Sequence, residues 1–568
     1  MDLSLAKKLR DSNEKIDCNK HFKILAGPGA GKTRFIVNHI SNIISNSDKI
    51  SGTRKIGCIT YTNIGVETIV NRFQNVTEYI DVSTIHSFLY RHIVKPYLWV
   101  LKDQYELDYC KIDGHSEIIP TFSLLKEWKN NTDQQRIRDD KKLAKALSKL
   151  RWELDDCDEI QLCFKHIWEG KIDKYSIKKT SYIEYKKICW EHGLISHDDV
   201  LFFSYMIIQE KPRVLEILRA KFPYILIDEF QDTSPIQTKI VSMIAEKETM
   251  IGVIGDQCQS IYSFQGADVG KFMDFNLNGM DTYYIEDNYR STQQIISVLN
   301  FIRGKDEFQQ KSPNNKNGNK PIILVGKFFD AYNKAVELCR CAPVHTLSYR
   351  NNLSNMIKYG FEDYFSDDIV DEFIFDDGDR GKMIFYVINS LEYCKENKIK
   401  DAIKYMKKAY RKVTLFQDKA ALINIKRLLN EYDGFFEINI KEFYNNYLFG
   451  FYDIKSKITS GKANNYYEEL TYKKVASVIN INDDNGYYRT IHKAKGDEFE
   501  NVLLLMQPKE NYDEEKELGF LLSPNMDNEE HRVYYVAMSR AMANIFVCVP
   551  QLSESNKQKI NGFSVLYL

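Results

Sequence analysis

The stretch FKILAGPGAGKTRFIVNHI, residues 22–40, joins an apolar run, a glycine-rich turn and a helical pattern. Glycines let the backbone approach phosphates closely, and the N–H groups at a helix start then point at the anion. A lysine at the end of the turn reaches the β- and γ-phosphates, and the following threonine hydroxyl is a ligand for Mg²⁺. The stretch therefore predicts a binding loop for a nucleoside triphosphate with Mg²⁺. Its residues are Ala26, Gly27, Pro28, Gly29, Ala30, Gly31, Lys32 and Thr33.

A second stretch, LIDEFQDTSP (226–235), places two acids at the end of another apolar run. Two bare carboxylates in that position would repel each other unless positive charge lay beside them. A metal ion bound together with a phosphate chain would supply that positive charge. We therefore expect Asp228 to hold Mg²⁺ and Glu229 to orient or deprotonate the attacking water.

Short apolar runs that end in polar or glycine-rich turns recur along the chain. Continuous apolar runs are typical of strands covered on both faces, as in a parallel α/β sheet. The functional loops of such sheets lie at the carboxyl ends of the strands. One group of runs predicts a first α/β core, and a second group predicts another. The runs are 22–27, 55–62, 224–230 and 250–256 in the first group, and 321–326, 344–350, 501–506 and 544–549 in the second.

Each core is interrupted by a segment that reads as mostly helical. The stretch DDKKLAKALSKLRWELDD (139–156) predicts a charged amphipathic helix in the first interruption, and KDAIKYMKKAYRKV (400–413) predicts one in the second. The predicted organisation is two α/β domains, each with a helical insertion. The first domain comprises 1–86 and 196–276 with insertion 87–195, and the second comprises 277–351 and 481–568 with insertion 352–480.

The composition is that of a globular protein with several domains. The 568 residues are 43% hydrophobic and 28% charged, with a net charge of −1. Because the net charge is close to zero, any contact with nucleic acid must come from local basic grooves. The 11 cysteines show no metal-ligand spacing, which favours reduced thiols and a cytoplasmic location. No uninterrupted apolar run approaches the length of a membrane span, so we expect no membrane contact.

Further motifs follow the acidic pair in a fixed order. Together with the two stretches above, they resemble the UvrD/Rep/PcrA family of superfamily one DNA helicases. That resemblance implies two RecA-like P-loop NTPase domains with ATP in the cleft between them. The motifs are TYTNIGVETIVNRF (60–73), STIHSF (83–88), VIGDQCQSIYSFQGAD (253–268), IEDNYRSTQQI (285–295), TIHKAKGDEFENV (490–502) and EEHRVYYVAMSRA (529–541).

The resemblance also implies individual roles at the nucleotide. Lys32 and Thr33 bind phosphate and Mg²⁺, while Arg34 and Tyr289 sandwich the adenine. Gln259 is implied to sense the γ-phosphate, and Glu498 to contact the ribose. Arg290 and Arg540 are implied to act as arginine fingers. The arginines would place positive charge where phosphoryl transfer builds negative charge.

For DNA, the resemblance implies stacking platforms and backbone contacts. Stacking on aromatic rings gives binding to single strands that tolerates any sequence. The candidate platforms are Tyr61, Tyr262 and Phe264, the candidate backbone contacts are His86, Thr490 and His492, and Asn63 is a further candidate contact. The implied activity is ATP-driven movement on single-stranded DNA from 3′ to 5′, with DNA ends or forks as substrates.

The sequence departs from the family at several places. The adenine-reading glutamine that usually precedes the phosphate loop is missing, since the first glutamine in the chain is Gln74, and this puts strict adenine preference in question. Gln265 stands where the family usually has arginine, and Asp497 stands where leucine is usual. The acidic segment 366–382 reads as a solvated or partner-binding surface rather than a nuclease metal site.

The short build and the stretch STIHSFLYRHIVKPY (83–97) resemble the helicase subunit of Gabija-type anti-phage systems. That resemblance implies a partner, a nuclease subunit of the OLD family. Two alternatives stay open: a regulatory subunit that responds to nucleotide and DNA and activates a nuclease with little unwinding of its own, and a DNA repair helicase. An unrelated P-loop NTPase would leave Arg290, Arg540 and the segment TIHKAKG (490–496) unexplained.

Overall fold

The computed structural model describes residues 6–73, 78–118, 120–155, 157–304, 308–362, 364–365, 378–411, 413, 416–451, 457–479, 486–508 and 511–568. The chain divides into two compact units. The first comprises residues 1–290 and 306–314, and the second comprises 291–305 and 315–568. Most of the acidic segment discussed above, residues 366–377, lies outside the described residues.

The first unit is built on a seven-stranded parallel sheet with the order β1-β11-β2-β10-β9-β3-β4. The strands of this unit are β1 (Lys7–Lys8), β2 (Phe22–Ala26), β3 (Ile56–Thr60), β4 (Ile80–Thr84), β5 (Arg151–Leu154), β6 (Ile160–Cys163), β7 (Lys171–Ile172), β8 (Tyr175–Ser176), β9 (Tyr224–Ile227), β10 (Met250–Gly255) and β11 (Asp281–Ile285). Strands β2, β9 and β10 are almost entirely buried, as continuous apolar runs in a parallel sheet should be.

Helices cover the sheet and fill the insertion of the first unit. They are α1 (Lys32–Asn46), α2 (Asn63–Arg72), α3 (Ile85–Leu89), α4 (Lys95–Tyr97), α5 (Lys102–Tyr105), α6 (Phe122–Asn131), α7 (Asp140–Leu147), α8 (Tyr182–Glu191), α9 (His197–Glu210), α10 (Arg213–Lys221), α11 (Pro235–Ala245) and α12 (Val269–Asp274). Within the described residues, no helix of either unit is both long and apolar enough to span a bilayer.

The second unit carries a six-stranded parallel sheet with the order β14-β13-β15-β16-β12-β17. Its strands are β12 (Ile322–Val325), β13 (His345–Ser348), β14 (Tyr488–Thr490), β15 (Phe499–Leu505), β16 (Ala541–Val549) and β17 (Ser564–Tyr567). Its helices are α13 (Gln293–Arg303), α14 (Phe328–Leu338), α15 (Asn351–Lys358), α16 (Gly378–Lys395), α17 (Ile399–Ala409), α18 (Asp418–Asn430), α19 (Tyr432–Phe435), α20 (Ile440–Phe443), α21 (Lys462–Glu469), α22 (Tyr472–Ser477), α23 (Glu514–Glu517), α24 (Gly519–Leu522), α25 (Glu529–Met538) and α26 (Glu554–Lys559).

All eight apolar runs form strands. Strands β4 and β11, which the sequence did not predict, contain both buried and half-buried positions and lack a continuous apolar run. Because β11 pairs with β2, the first unit extends to residue 290, beyond residue 276, where the sequence placed the end of the first domain.

The predicted helix over 139–156 is wrong in its second half. Helix α7 ends at Leu147, and Arg151–Leu154 forms strand β5, which pairs antiparallel with β6. Trp152 explains the change, because its ring stacks on Phe202 at 3.7 Å between centroids and its indole N–H donates to Asp199 at 2.9 Å. The long-range contacts of one tryptophan therefore override a helical pattern of charges.

A buried histidine in α1 makes the stability of the first unit dependent on pH. The His39 ring stacks on Phe35 with centroids 5.7 Å apart and meets Phe22 edge-on at 4.9 Å. Burial lowers the pKa of His39 from 6.5 to about 4, because the apolar surroundings disfavour the charged ring. The unfolded chain therefore takes up this proton more readily than the folded one. The stabilisation is complete above pH 6.5 and is lost as pH falls from 6.5 towards 4.

The unfolding free energy of the wild type should fall between pH 7 and pH 5. We expect this fall to be about 2 kcal/mol smaller in His39→Phe, because the variant lacks the buried imidazole. Urea unfolding of the full chain at both pH values measures this loss. The same change at the exposed His166 is the control. An unchanged difference between the two pH values in His39→Phe would contradict the assignment.

Candidate functional site

Three loops of the first unit converge because their strands are neighbours. Strand β10 lies between β2 and β9, and all three run parallel. The phosphate loop follows β2, the acidic pair follows β9, and the segment with Gln259 follows β10. The carboxyl ends of adjacent parallel strands share one edge of the sheet, so the order of the strands brings the predicted residues together.

The phosphate loop has the backbone that its glycines predict. Gly29 and Gly31 have φ values of 70° and 81°, a left-handed conformation that side chains other than glycine rarely adopt. Lys32 begins α1, and its ammonium lies 3.3 Å from the Ala26 carbonyl oxygen and 3.9 Å from Glu229 Oε1. The lysine therefore supplies the positive charge that the acidic pair requires.

The two acids are held in different ways. Asp228 is buried at the end of β9, and its Oδ1 accepts a hydrogen bond from the backbone N–H of Glu229 at 3.0 Å. Glu229 has a φ of 54°, which is unusual for a residue with a side chain. Such backbone strain is typical of functional sites.

A chain of buried hydrogen bonds connects Glu229 to Gln259. Gln231 donates from Nε2 to Glu229 Oε2 at 2.5 Å, and its Oε1 accepts the backbone N–H of Asp256 at 3.0 Å. Asp256 Oδ2 in turn accepts from Gln259 Nε2 at 2.7 Å. Gln231 and Asp256 thus join the predicted water-orienting acid to the predicted γ-phosphate sensor. The sequence contained both residues inside its motifs, but their spacing gave no sign of this contact.

The donor chemistry at the strand ends fits magnesium. The Thr33 hydroxyl and the Asp228 carboxylate are hard oxygen donors of the kind Mg²⁺ prefers, with waters and phosphate oxygens completing its shell. Among the described residues, no group of three or more histidine, cysteine, aspartate or glutamate side chains is arranged to hold a metal ion. A magnesium ion would therefore depend on the phosphates as well as on Thr33 and Asp228.

Tyr289 and Arg34 border the same loop. The Tyr289 backbone N–H donates to the Gly29 carbonyl at 3.0 Å, and its hydroxyl donates to Asp287 at 3.0 Å. Burial raises the pKa of Tyr289 to about 12, with Asp287 adding to the shift and the Arg34 guanidinium opposing it. The two residues predicted to sandwich a base are therefore near each other, beside the phosphate loop.

The remaining predicted nucleotide residues lie in different places. Arg290 follows Tyr289 in the first unit, and its backbone N–H donates to Asn288 at 3.0 Å. Arg540 belongs to the second unit, where its guanidinium is buried and donates to the carbonyl oxygens of Val536 at 3.1 Å and Asp497 at 3.4 Å. Glu498 is exposed in the second unit, so the roles of Arg540 and Glu498 stay predictions.

The predicted aromatic platforms form one group. Tyr61 and Tyr262 stack on each other with centroids 4.6 Å apart, and the Tyr61 hydroxyl donates to Gln265 at 2.5 Å. Tyr262 is only 7% exposed, whereas Phe264, 5.9 Å from it, is 55% exposed. Phe264 is therefore the ring of the group with the most open surface. Gln265, at the position where the family usually has arginine, fixes the Tyr61 ring.

His86 lies in a group of three imidazoles. Its ring is 5.8 Å from that of His197, whose Nδ1 is 2.6 Å from His115 Nδ1. Burial, followed by the neighbouring His197 and His115, lowers the pKa of His86 to about 3. His86 is therefore neutral at pH 7, and a contact with a DNA backbone would be a hydrogen bond rather than an ion pair.

The other predicted DNA contacts are divided between the two units. Asn63 begins α2, and its side chain lies outside the part of the chain that the structure describes. Thr490 ends β14 of the second unit, and the His492 ring meets Tyr349 edge-on at 5.7 Å.

Comparison of the sequence with known protein families identifies the family of the chain. Residues 9–278 match the UvrD/REP helicase N-terminal domain, and residues 392–551 match the UvrD-like helicase C-terminal domain. The chain belongs to the UvrD/REP helicase family. The predicted fold class is thereby confirmed, since the two parallel sheets agree with two RecA-like domains.

Several curated relatives of this family are similar to the chain at low identity. The ATP-dependent DNA helicase PcrA of Bacillus subtilis is 27% identical over 285 residues, which cover 49% of this chain and 37% of that protein. The PcrA of Staphylococcus aureus strain Mu50 is 29% identical over 311 residues, covering 52% and 40%. A probable DNA helicase II homolog of Rickettsia conorii is 26% identical over 507 residues, covering 84% and 73%. The chain thus spans well under half the length of the two PcrA proteins.

The different exposure of the two motif aromatics predicts different consequences of their removal. Phe264→Ala should weaken single-stranded DNA binding about 5- to 100-fold, because one stacked base is lost, and should leave the melting temperature nearly unchanged. Tyr262→Ala should instead reduce stability by about 2 kcal/mol or more, because it empties a buried stack. Fluorescence anisotropy with a labelled oligonucleotide and thermal unfolding measure the two effects. Equal effects of both variants on DNA binding would contradict this division.

The amide that joins the two loops predicts a loss of turnover without a loss of binding. Gln231→Met should reduce ATP turnover at saturating ATP by about 10- to 100-fold, because Glu229 and Asp256 lose their shared partner. The dissociation constant for ATP should change by less than about threefold. Steady-state kinetics and titration with a fluorescent ATP analogue measure both, with Gln209→Met at an exposed position as the control. Wild-type turnover in Gln231→Met would contradict the role.

Proposed function

We propose that this chain is an ATP-dependent DNA helicase or translocase that moves on single-stranded DNA from 3′ to 5′. The observation that carries the proposal is the continuous set of contacts from Lys32 through Glu229, Gln231 and Asp256 to Gln259. Such a set brings together a phosphate-binding cation, a base and a sensor on three neighbouring loops. The family match supports the same reading.

In the proposed reaction, each residue of the first unit has one task. The Lys32 ammonium and the loop N–H groups bind the phosphate chain, and Thr33 and Asp228 would hold Mg²⁺, which neutralises developing negative charge when bound. Glu229 orients the attacking water and accepts its proton. Gln259, hydrogen-bonded to Asp256, responds to the presence of the γ-phosphate.

The positive charges that phosphoryl transfer needs beyond the loop are assigned to Arg290 and Arg540. Guanidinium groups of this kind stabilise the charge of the transition state. Tyr289 and Arg34 are proposed to hold the base, and Glu498 the ribose.

The DNA substrate is proposed from the aromatic group of Tyr61, Tyr262 and Phe264. A half-open aromatic surface binds bases without reading their sequence, which a translocating protein requires. Thr490 and His492 are proposed to contact the DNA backbone. DNA ends or forks are the proposed substrates.

A partner is proposed from the similarity to the Gabija-type helicase subunit noted above. In this form of the proposal, the chain acts in anti-phage defence beside a nuclease subunit of the OLD family. The two insertions, 87–195 and 352–480, are the proposed docking surfaces. A DNA repair helicase is the alternative form of the proposal.

A regulatory subunit with little unwinding activity is the second candidate function. Gln265 supports it, because this residue removes a positive charge from the aromatic group and instead binds the Tyr61 hydroxyl. Strand displacement by the isolated chain separates the candidates. Robust unwinding supports the helicase, and stimulation only in the presence of the nuclease supports the regulator.

The deciding experiment is ATP hydrolysis by the purified chain with and without single-stranded DNA. We expect stimulation of about tenfold or more by DNA, as for a motor whose turnover is coupled to its track. Lys32→Ala should lose ATP binding, because the cation that pairs with the phosphates is gone. Glu229→Gln should keep ATP binding and lose more than about 100-fold in turnover, because it cannot accept a proton.

Two results would count against the proposal. Hydrolysis insensitive to DNA would remove the coupling between ATP and movement. Hydrolysis that persists in Lys32→Ala would show that the phosphate loop is not the site of turnover.

A further inference from the structure

A short segment returns to the first unit from the second. Among the described residues, 308–314 belong to the first unit, although 291–304 before them and the chain from 315 onwards belong to the second. Within this segment, Gln310 is 3% exposed, while its neighbour Gln309 is exposed. A glutamine buried in this way must find partners for both ends of its amide.

The Gln310 amide is bonded to the phosphate loop. Its Nε2 donates to the Pro28 carbonyl oxygen at 2.8 Å, and its Oε1 accepts from Asn288 Nδ2 at 3.3 Å. The backbone reinforces the contact, because the Asn288 N–H donates to the Lys311 carbonyl at 2.8 Å and the Lys311 N–H donates to the Glu286 carbonyl at 3.0 Å. The return segment therefore ties the phosphate loop to residues 286–290.

The close approach of these side chains gives a reason for two of the loop glycines. A Cβ added at Gly27 would lie 2.5 Å from Gln310 Nε2, and one added at Gly29 would overlap Asn288 Oδ1. Both approaches are far closer than van der Waals contact. A side chain at position 27 would therefore displace the Gln310 amide, and one at position 29 would displace the Asn288 amide.

Residues 286–290 carry the residues proposed for the base and for catalysis, Tyr289 and Arg290. The Tyr289 N–H donates to the Gly29 carbonyl at 3.0 Å. Two successive carbonyls of the loop, those of Pro28 and Gly29, are thus held by the segments 308–314 and 286–290. Asn288 links the two segments by accepting the Arg290 N–H at 3.0 Å and donating to Gln310.

We propose that Gln310 is a positioning residue that holds the phosphate loop in register with Tyr289 and Arg290, and that it thereby sets the affinity for ATP. Gln310 acts through the Pro28 carbonyl and the Asn288 amide. This inference rests on the proposed nucleotide site. It predicts that the phosphate loop and the segment with Tyr289 and Arg290 keep a fixed relative position before the nucleotide binds.

Gln310→Met tests the proposal, because methionine has a similar volume and makes neither hydrogen bond. The KM for ATP should rise about tenfold, and kcat at saturating ATP should change by less than about threefold. Binding of inorganic tripolyphosphate, which lacks a base, should weaken less than binding of ATP. Gln309→Ala, at the exposed neighbour, should behave as the wild type in all three measurements.

A merely structural role would lower the melting temperature without separating KM from kcat, or ATP from tripolyphosphate. An unchanged KM in a folded Gln310→Met protein overturns the proposal, as does equal weakening of both ligands. If Gln310→Met does not fold, Gln310→Glu replaces it. Its carboxylate would face the Pro28 carbonyl and should weaken ATP binding more than about tenfold.

A double-mutant cycle adds an independent test. Gly27→Ala should weaken ATP binding because the new methyl group displaces the Gln310 amide. Gly27→Ala combined with Gln310→Ala should then bind ATP about as well as Gln310→Ala alone, since the clash is gone. Additive losses in the cycle overturn the proposal, because they would show that Gly27 acts only through the phosphates.

The double-mutant cycle compares dissociation constants for ATP, so it does not depend on turnover. A wild-type chain that binds no ATP would overturn the proposed function. A wild-type chain that binds ATP with the same dissociation constant as Gln310→Met would overturn only the role of Gln310.

Discussion

The first unit depends on holding two carboxylates together at the end of a buried strand. Asp228 and Glu229 are adjacent in sequence, so their charges cannot be separated by distance. The structure resolves the repulsion by giving each acid its own environment. Asp228 accepts the next backbone N–H, while Glu229 takes a left-handed backbone and meets Lys32 on one side and Gln231 on the other. Lys32 follows β2, whereas Glu229 and Gln231 follow β9, so the acidic pair links the loops after these two strands.

Much of this arrangement could be predicted from the sequence, because its causes are local. A continuous apolar run predicts a covered strand, and the loops at the strand ends follow from the parallel order. The parts that could not be predicted depend on contacts distant in sequence. The sequence around Trp152 predicts a helix, whereas the contacts of Trp152 with Phe202 and Asp199 hold it in a strand. The burial of Gln310 has no local signal, since the sequence around it is polar and rich in turn residues.

The aromatic group shows the same limit on a smaller scale. Two motifs supply the three candidate rings, and the structure places the rings in one group. The sequence does not predict which ring is exposed, because exposure depends on the surrounding fold. Tyr262 supports the group from within, whereas Phe264 faces outwards. A single motif thus contains a residue of the core and a residue of the surface, separated by one position.

The return segment has a consequence for how far the first unit can be treated as a module. A fragment that ended at residue 290 would keep all seven strands of the sheet but would lack Gln310 and its contact with the phosphate loop. The first unit is therefore complete only with residues 308–314, which follow a stretch that belongs to the second unit. Its boundary is set by three-dimensional packing rather than by sequence order. Exchange of this unit between relatives by recombination would have to carry the second stretch along.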